Sequence, residues 1–177
     1  MLAIAGTHGK TTTTAMTVWL MKELNIPVSY SVGGKLSFGD MGEFNQDSQY
    51  FVYEADEYDR NFLRFSPYMS VISGISYDHP DVYPTEESYD KAFRQFINQS
   101  DTEKIEQPQT DNITVMEEAD LSGFKLLGLV NRRNAHAVVV AAEKLGFCDY
   151  HTGQQILNKF PGVSRRFEKI IKGVYSD

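Results

Sequence analysis

The sequence has one cysteine in 177 residues, Cys148, so no internal disulfide can form and a reducing cytosol suits the chain. It has no apolar run near the ~18 residues that a membrane-crossing helix needs. The apolar opening, Met1 to Ala5, leads into a glycine-rich turn instead of the longer hydrophobic stretch of a signal peptide. Positive charge is also short: 17 Lys and Arg stand against 24 Asp and Glu, for a formal net charge of -7. That balance argues against broad attraction to nucleic acid or to a membrane surface, so an anionic ligand must be held by a local site. Internal repeats and low-complexity linkers are missing too. What remains is ordinary for one globular domain, 41% hydrophobic and 23% charged. A chain of this length buries a sizeable core without disulfides or structural metal.

The hydrophobic pattern alternates between two periods. Leu2 to Ala5 is a short buried strand, and 11–24 a helix with Ala15, Met16, Val18, Trp19, Leu20 and Leu24 near a 3.6-residue period. Asn25-Ile26-Pro27 stops it, and a strand over 28–32 ends at the Gly33-Gly34 turn. Runs 49–55 and 69–75 are further strands, and 86–97 is a helix with Tyr89, Ala92, Phe93, Phe96 and Ile97 on one face. The polar stretch 100–111 reads as a surface loop, with weaker strand candidates at 112–116 and 124–129. A helix over 131–145 is ended by Gly146, a short helix covers 152–159, and 167–174 is a final strand. Strands alternating with helices predict an α/β fold with a mostly parallel central sheet flanked by helices. In such sheets ligands bind beyond the carboxyl ends of the strands, so the polar residues there are the candidates.

The first strand runs into Gly6-Thr7-His8-Gly9-Lys10-Thr11-Thr12 and then a helix. Strand, tight glycine turn, Gly-Lys-Thr and helix together make a phosphate cradle. Backbone N–H groups face the anion, Lys10 supplies a point charge, and the Thr11 hydroxyl can hold Mg²⁺. Gly9 is expected to let the backbone approach the phosphates without a Cβ. The leading glycine is Gly6, with Ile4 where the usual G-x-x-x-x-G-K-[ST] spacing has glycine. Glu54 ends the apolar strand Phe51-Val52-Tyr53, where a carboxylate can bind Mg²⁺ or orient its waters. Asp56, Glu57 and Asp59 after it read as a solvated acidic turn. His79, just past the next strand, is a candidate for a second metal position, with a surface histidine as the alternative. His136, in an apolar helix, reads as a packing residue.

The strings GTHGKTTTTAM, EADEYDRNFL, YDHPDVY, NRRNA and FPGVSRRFE occur in the order found in Mur ligases, and the chain resembles the central, P-loop NTPase-like domain of that family over nearly its whole length. The resemblance implies ATP and Mg²⁺, and an ATP-dependent acid–amino-acid ligase of peptidoglycan precursor synthesis in the cytoplasm. UDP-N-acetylmuramate would be phosphorylated on its carboxylate and then attacked by L-alanine. It implies Lys10 on the phosphates, Thr11 and Glu54 on one Mg²⁺ and His79 on the second. It further implies Asn134 reading adenine with Asn131 beside it, Arg166 at the terminal phosphates and Asp177 at the ribose. It also implies domains for the UDP-sugar and the amino acid outside 1–177, so that this chain alone should not ligate. Val130 stands where the family usually has histidine, and the 100–129 segment is shorter than usual. A preformed peptide as acceptor substrate, in murein recycling, is the alternative within the family. A nucleotide-binding module without ligase chemistry is the alternative outside it. The oligomeric state is not encoded in any of these motifs.

Overall fold

A computed structural model of the chain describes residues 1–100, 103–106, 120–163, 169–171 and 174–175. Five parallel strands form the sheet: β1 (Leu2–Ala5), β2 (Val28–Ser31), β4 (Tyr50–Glu54), β5 (Met69–Ile72) and β6 (Glu103–Glu106). The two-residue β3 (Gly42–Glu43) adds an antiparallel edge, and the order is β3-β2-β4-β1-β5-β6. The chain leaves β1 toward β2 on one side and later places β5 on the other. The strand order therefore reverses at β1, which puts a crevice at its carboxyl end, between β4 and β5.

The sheet is covered on both faces, as parallel sheets generally are. All four residues of β1 are buried, and they alternate. Leu2 and Ile4 pack with Ala15, Val18 and Met21 of α1 (Lys10–Glu23) and with Ala137 and Ala141 of α3 (Leu129–Lys144). Ala3 and Ala5 face Tyr89, Phe93 and Phe96 of α2 (Glu86–Asn98), together with Phe62 from the 3-10 segment Tyr58–Arg64. Phe62 stacks on Phe96 with centroids 4.8 Å apart. A third cluster joins α1 and α3 to α4 (Tyr150–Leu157) through Met16, Leu20, Val138 and Leu157.

Local chemistry explains the helices. In α1 the hydroxyls of Thr13, Thr14 and Thr17 donate to carbonyls four residues earlier, so these polar side chains are buried with their hydrogen bonds made. Thr85 and Ser88 close a reciprocal capping box on α2, with Glu86 and Glu87 in its first turn. Asp149 caps α4 through the Thr152 N–H. Gly146, at φ 72°, takes the left-handed position after α3.

Three expectations from the sequence are corrected. The polar stretch 100–111 is not all loop, because it supplies β6, an edge strand in register with β5. An edge strand needs pairing on one side only, and Glu-Lys-Ile-Glu is too short and polar to betray its alternation. The candidate strand at 124–129 is instead an irregular segment whose Phe124 is buried against α3 and α4. There the Asn158 side chain replaces a neighbouring strand, accepting from the Lys125 N–H (2.7 Å) and donating to the Gly123 carbonyl (2.9 Å). The single closing strand is two short antiparallel ones, β7 (Lys169–Ile171) and β8 (Val174–Tyr175), outside the main sheet. The candidate at 112–116 lies outside the described residues.

His136 does pack. Its Nδ1 lies 2.6 Å from the Tyr150 hydroxyl, and burial holds its pKa below the ordinary histidine range. The folded chain thus takes up this proton less readily than the unfolded chain. The contribution is complete above the unfolded pKa of about 6.5 and is lost as pH falls through the lower folded value. Between pH 7 and 5.5 the thermal midpoint should fall more steeply in the native chain than in His136→Asn. Parallel slopes would show that this imidazole does not set the acid limb.

Candidate nucleotide site

The reversal at β1 gathers the candidate residues. Gly6 to Gly9 form the turn after β1, Glu54 is the last residue of β4, and His79 lies in the loop after β5. Gly9 is the N-cap of α1 at φ 82°, and among the described residues no side chain caps that helix. Its first turn holds no acidic residue. The first N–H groups and the positive end of the helix dipole are thus left for an anion.

The turn is anchored from behind. The Thr7 N–H donates to the Gly74 carbonyl (2.9 Å), and the Thr7 hydroxyl pairs with the Tyr89 hydroxyl at 2.7 Å and donates to the Ser76 carbonyl. Thr7 therefore braces the loop against β5 and α2 and does not present its polar groups to a ligand. Burial pushes the Tyr89 hydroxyl well above the ordinary tyrosine range, so it stays neutral in this role. Tyr83, pushed up to about 12 by burial, donates to the Glu57 carbonyl at 2.6 Å. His8 is exposed at the tip of the turn, its carbonyl accepting from Ser73.

Gly9 is also constrained from the side of α3. A Cβ there would sit 3.0 Å from Asn134 Nδ2 and 3.2 Å from its Oδ1, in a left-handed conformation that L side chains rarely adopt. This close approach is to α3. Asn134 is 1% exposed and lies under the loop. Asn131, one turn earlier, instead lines a cleft of about 230 Å³ with Thr12, Met16, Leu126, Leu127, Phe160 and Val163. Its amide is oriented by donating to the Leu127 carbonyl at 2.9 Å.

On the β4 side, Thr11 Oγ1 donates to Glu54 Oε1 at 2.9 Å, and the Gly33 N–H donates to Glu54 Oε2 at 2.6 Å. A Cβ on residue 33 would lie 2.8 Å from Glu54 Oε1, so glycine there admits the carboxylate. A hydroxyl and a carboxylate in contact beside a phosphate loop are hard oxygen donors of the kind Mg²⁺ takes. On the β5 side His79 is held at φ 56° and its side chain is 32% exposed. These observations fit a divalent cation beside Thr11 and Glu54, and leave His79 open to a second.

The acidic turn after β4 is not simply solvated. Glu57 is fully buried, with Oε2 2.7 Å from Lys10 Nζ and Oε1 3.6 Å from His79 Nε2. Lys10 Nζ also donates to the Gly6 carbonyl at 2.7 Å. The sequence signal for Glu57 was weak, since Asp56 and Asp59 stand beside it and are exposed. Arg166 and Asp177 lie outside the described residues.

An uncapped helix behind a glycine turn at a strand-order reversal, with Lys, Thr and Glu converging on it, defines a phosphate-loop α/β domain. The sequence matches the profile of the Mur ligase middle domain over residues 4–156, and the chain belongs to that family. It is similar to the UDP-N-acetylmuramate--L-alanine ligase of Salinispora tropica, 30% identical over 99% of this chain and 42% of the relative. That of Desulforamulus reducens is 32% identical over 97% of this chain and 46% of the relative. The chain thus spans less than half the length of these relatives. Among solved structures, the UDP-N-acetylmuramate-alanine ligase of Thermotoga maritima superposes with a TM-score of 0.75 at 26% identity, over 94% of this chain and 46% of that one. The UDP-N-acetylmuramate:L-alanyl-gamma-D-glutamyl-meso-diaminopimelate ligase of Neisseria meningitides gives 0.75 at 25%, over 93% and 67%. No described helix is long and apolar enough to cross a membrane.

Proposed function

We propose that this chain is the ATP- and Mg²⁺-binding central domain of a cytoplasmic ligase that joins L-alanine to the carboxylate of UDP-N-acetylmuramate. The observation that carries the reading is the meeting of Lys10, Thr11 and Glu54 at the open N-terminus of α1. The similarity to L-alanine-adding enzymes over nearly the whole chain favours alanine over a preformed peptide as the acceptor.

Phosphoryl transfer needs positioning and charge neutralisation more than covalent help from the protein. Lys10 and the free N–H groups of α1 hold the phosphates, while Thr11 and Glu54, with His79 across the crevice, would hold Mg²⁺. Mg²⁺ there would neutralise charge on the phosphate oxygens. The base fits the cleft lined by Thr12, Asn131, Leu126 and Phe160, with Asn131 as its polar contact. Asn134 supports the phosphate loop from beneath Gly9. By motif alone, Arg166 is assigned to the terminal phosphates and Asp177 to the ribose. The γ-phosphoryl group passes to the muramate carboxylate and ADP leaves. The amine of L-alanine then attacks the acyl phosphate, and inorganic phosphate departs with formation of the amide. The UDP-sugar and amino-acid sites are assigned to flanking domains, since the chain spans 42% and 46% of the two relatives.

The full-length gene product should release ADP and phosphate only when UDP-N-acetylmuramate and L-alanine are both present, and should form the amide. Turnover with a preformed peptide and not with alanine would move the protein to the recycling branch. Nucleotide binding without turnover on either substrate would make it a binding module.

A further inference from the structure

Glu57 lies inside the protein, not in the acidic surface turn to which its neighbours belong. Its side chain is 1% exposed, and a carboxylate in that position is costly unless it is paired. Only one of its two oxygens is. Oε2 accepts from Lys10, whereas Oε1 is buried with no hydrogen-bond partner and faces His79 Nε2 at 3.6 Å.

The backbone around this carboxylate is shaped to keep it there. Tyr83 Oη donates to the Glu57 carbonyl, and Asp59 and Arg60, immediately after it, are both left-handed at φ 53° and 57°. His79, on the opposite side, is left-handed as well. Non-glycine residues are strained in that region and persist where the surroundings demand them. Two such segments therefore converge on one carboxylate.

We infer that Glu57 is a positioning residue: a single buried carboxylate that holds Lys10, faces His79 and ties nucleotide affinity to the divalent cation. The inference rests on the nucleotide reading above. Paired to Glu57, the Lys10 ammonium presents less net positive charge to a phosphate. A cation held on the His79 side would compensate the charge of Glu57, whose Oε1 faces that side unpaired. Lys10 then acts on the phosphate with more of its own charge, still tethered by the Gly6 carbonyl. In this arrangement Lys10 would bind the nucleotide more strongly when Mg²⁺ is present, in addition to the contacts the ion itself would make.

The test measures ATP affinity of this chain in Mg²⁺ and in EDTA, with the thermal midpoint recorded for each variant. Glu57→Gln keeps the size and an acceptor oxygen for Lys10 but removes the charge. The expected result is ATP affinity in EDTA equal to or tighter than native, and a ratio of the two dissociation constants that shrinks roughly tenfold, the size typical of losing a residue that orients a metal ligand. Glu57→Asp keeps the charge but withdraws the carboxylate by one methylene. It guards against a folding failure of the glutamine variant, and its Mg²⁺ gain should also shrink. A folded Glu57→Gln or Glu57→Asp with the native ratio overturns the inference and reduces Glu57 to a buried counter-ion. A native chain that binds no ATP in either condition instead overturns the nucleotide reading, and this inference with it.

Discussion

Lys10→Ala should weaken ATP binding by about 10- to 150-fold, since a charge-assisted contact of roughly 1.5–3 kcal/mol goes and the anion faces backbone donors alone. The same change leaves Glu57, with its side chain 1% exposed, without its cation. Stranding one member of a buried pair typically costs about 3–5 kcal/mol. Lys10, with 17% of its side chain exposed, is partly solvated, which places the expected loss at the lower end. Stability and binding must therefore be separated. Lys10→Ala combined with Glu57→Gln removes the stranded charge and should recover much of the thermal midpoint while still failing to bind. If that double variant regains ATP affinity, Lys10 was needed for folding and not for phosphate.

The second large effect is expected at Gly9. Gly9→Ala places a methyl group 3.0 Å from Asn134 Nδ2 in a backbone conformation at φ 82°. The left-handed conformation alone costs about 1–2 kcal/mol with a Cβ present, and the contact adds to it because α3 is packed and cannot retreat freely. A total near 2–3 kcal/mol is expected in stability, with ATP affinity down at least tenfold because the loop's N–H groups shift. Trimming Asn134 to Ala makes room for the methyl group. The double variant should be more stable than the sum of the single losses predicts, by roughly 1 kcal/mol in a double-mutant cycle. Strict additivity would mean that the glycine is required by the phosphate alone, as the sequence suggested.

Val130 is exposed in the first turn of α3, beside Leu127 and Leu129, which are also exposed. The 100–129 segment delivers β6 to the sheet.

The phosphate loop was legible because its determinants are local. A buried strand, a glycine turn and a helix start lie within a dozen residues, and each is imposed by backbone geometry or hydrophobic period. Glu54 and His79 were legible at one remove, because both follow apolar runs and the parallel sheet puts strand ends on one side. The helix boundaries fell within about two residues of expectation for the same reason. The misreadings share a cause: β6 is recognisable only by its pairing with β5, and the 124–129 segment only by Asn158 from after α4.

By itself, then, the sequence determined the alternating α/β plan, the glycine turn from Gly6 to Thr11 at the start of α1 and the carboxylate that ends β4. Periodicity and turn chemistry act over a few residues and need no partners. Only the tertiary structure decided that β1 lies between β4 and β5, that Gly9 is held to glycine by Asn134, and that Glu57 and not its neighbours reaches Lys10. Those choices depend on contacts between residues 47 to 125 positions apart, which no local pattern encodes. They follow from packing two helical layers on one sheet and from the cost of leaving a buried charge unpaired.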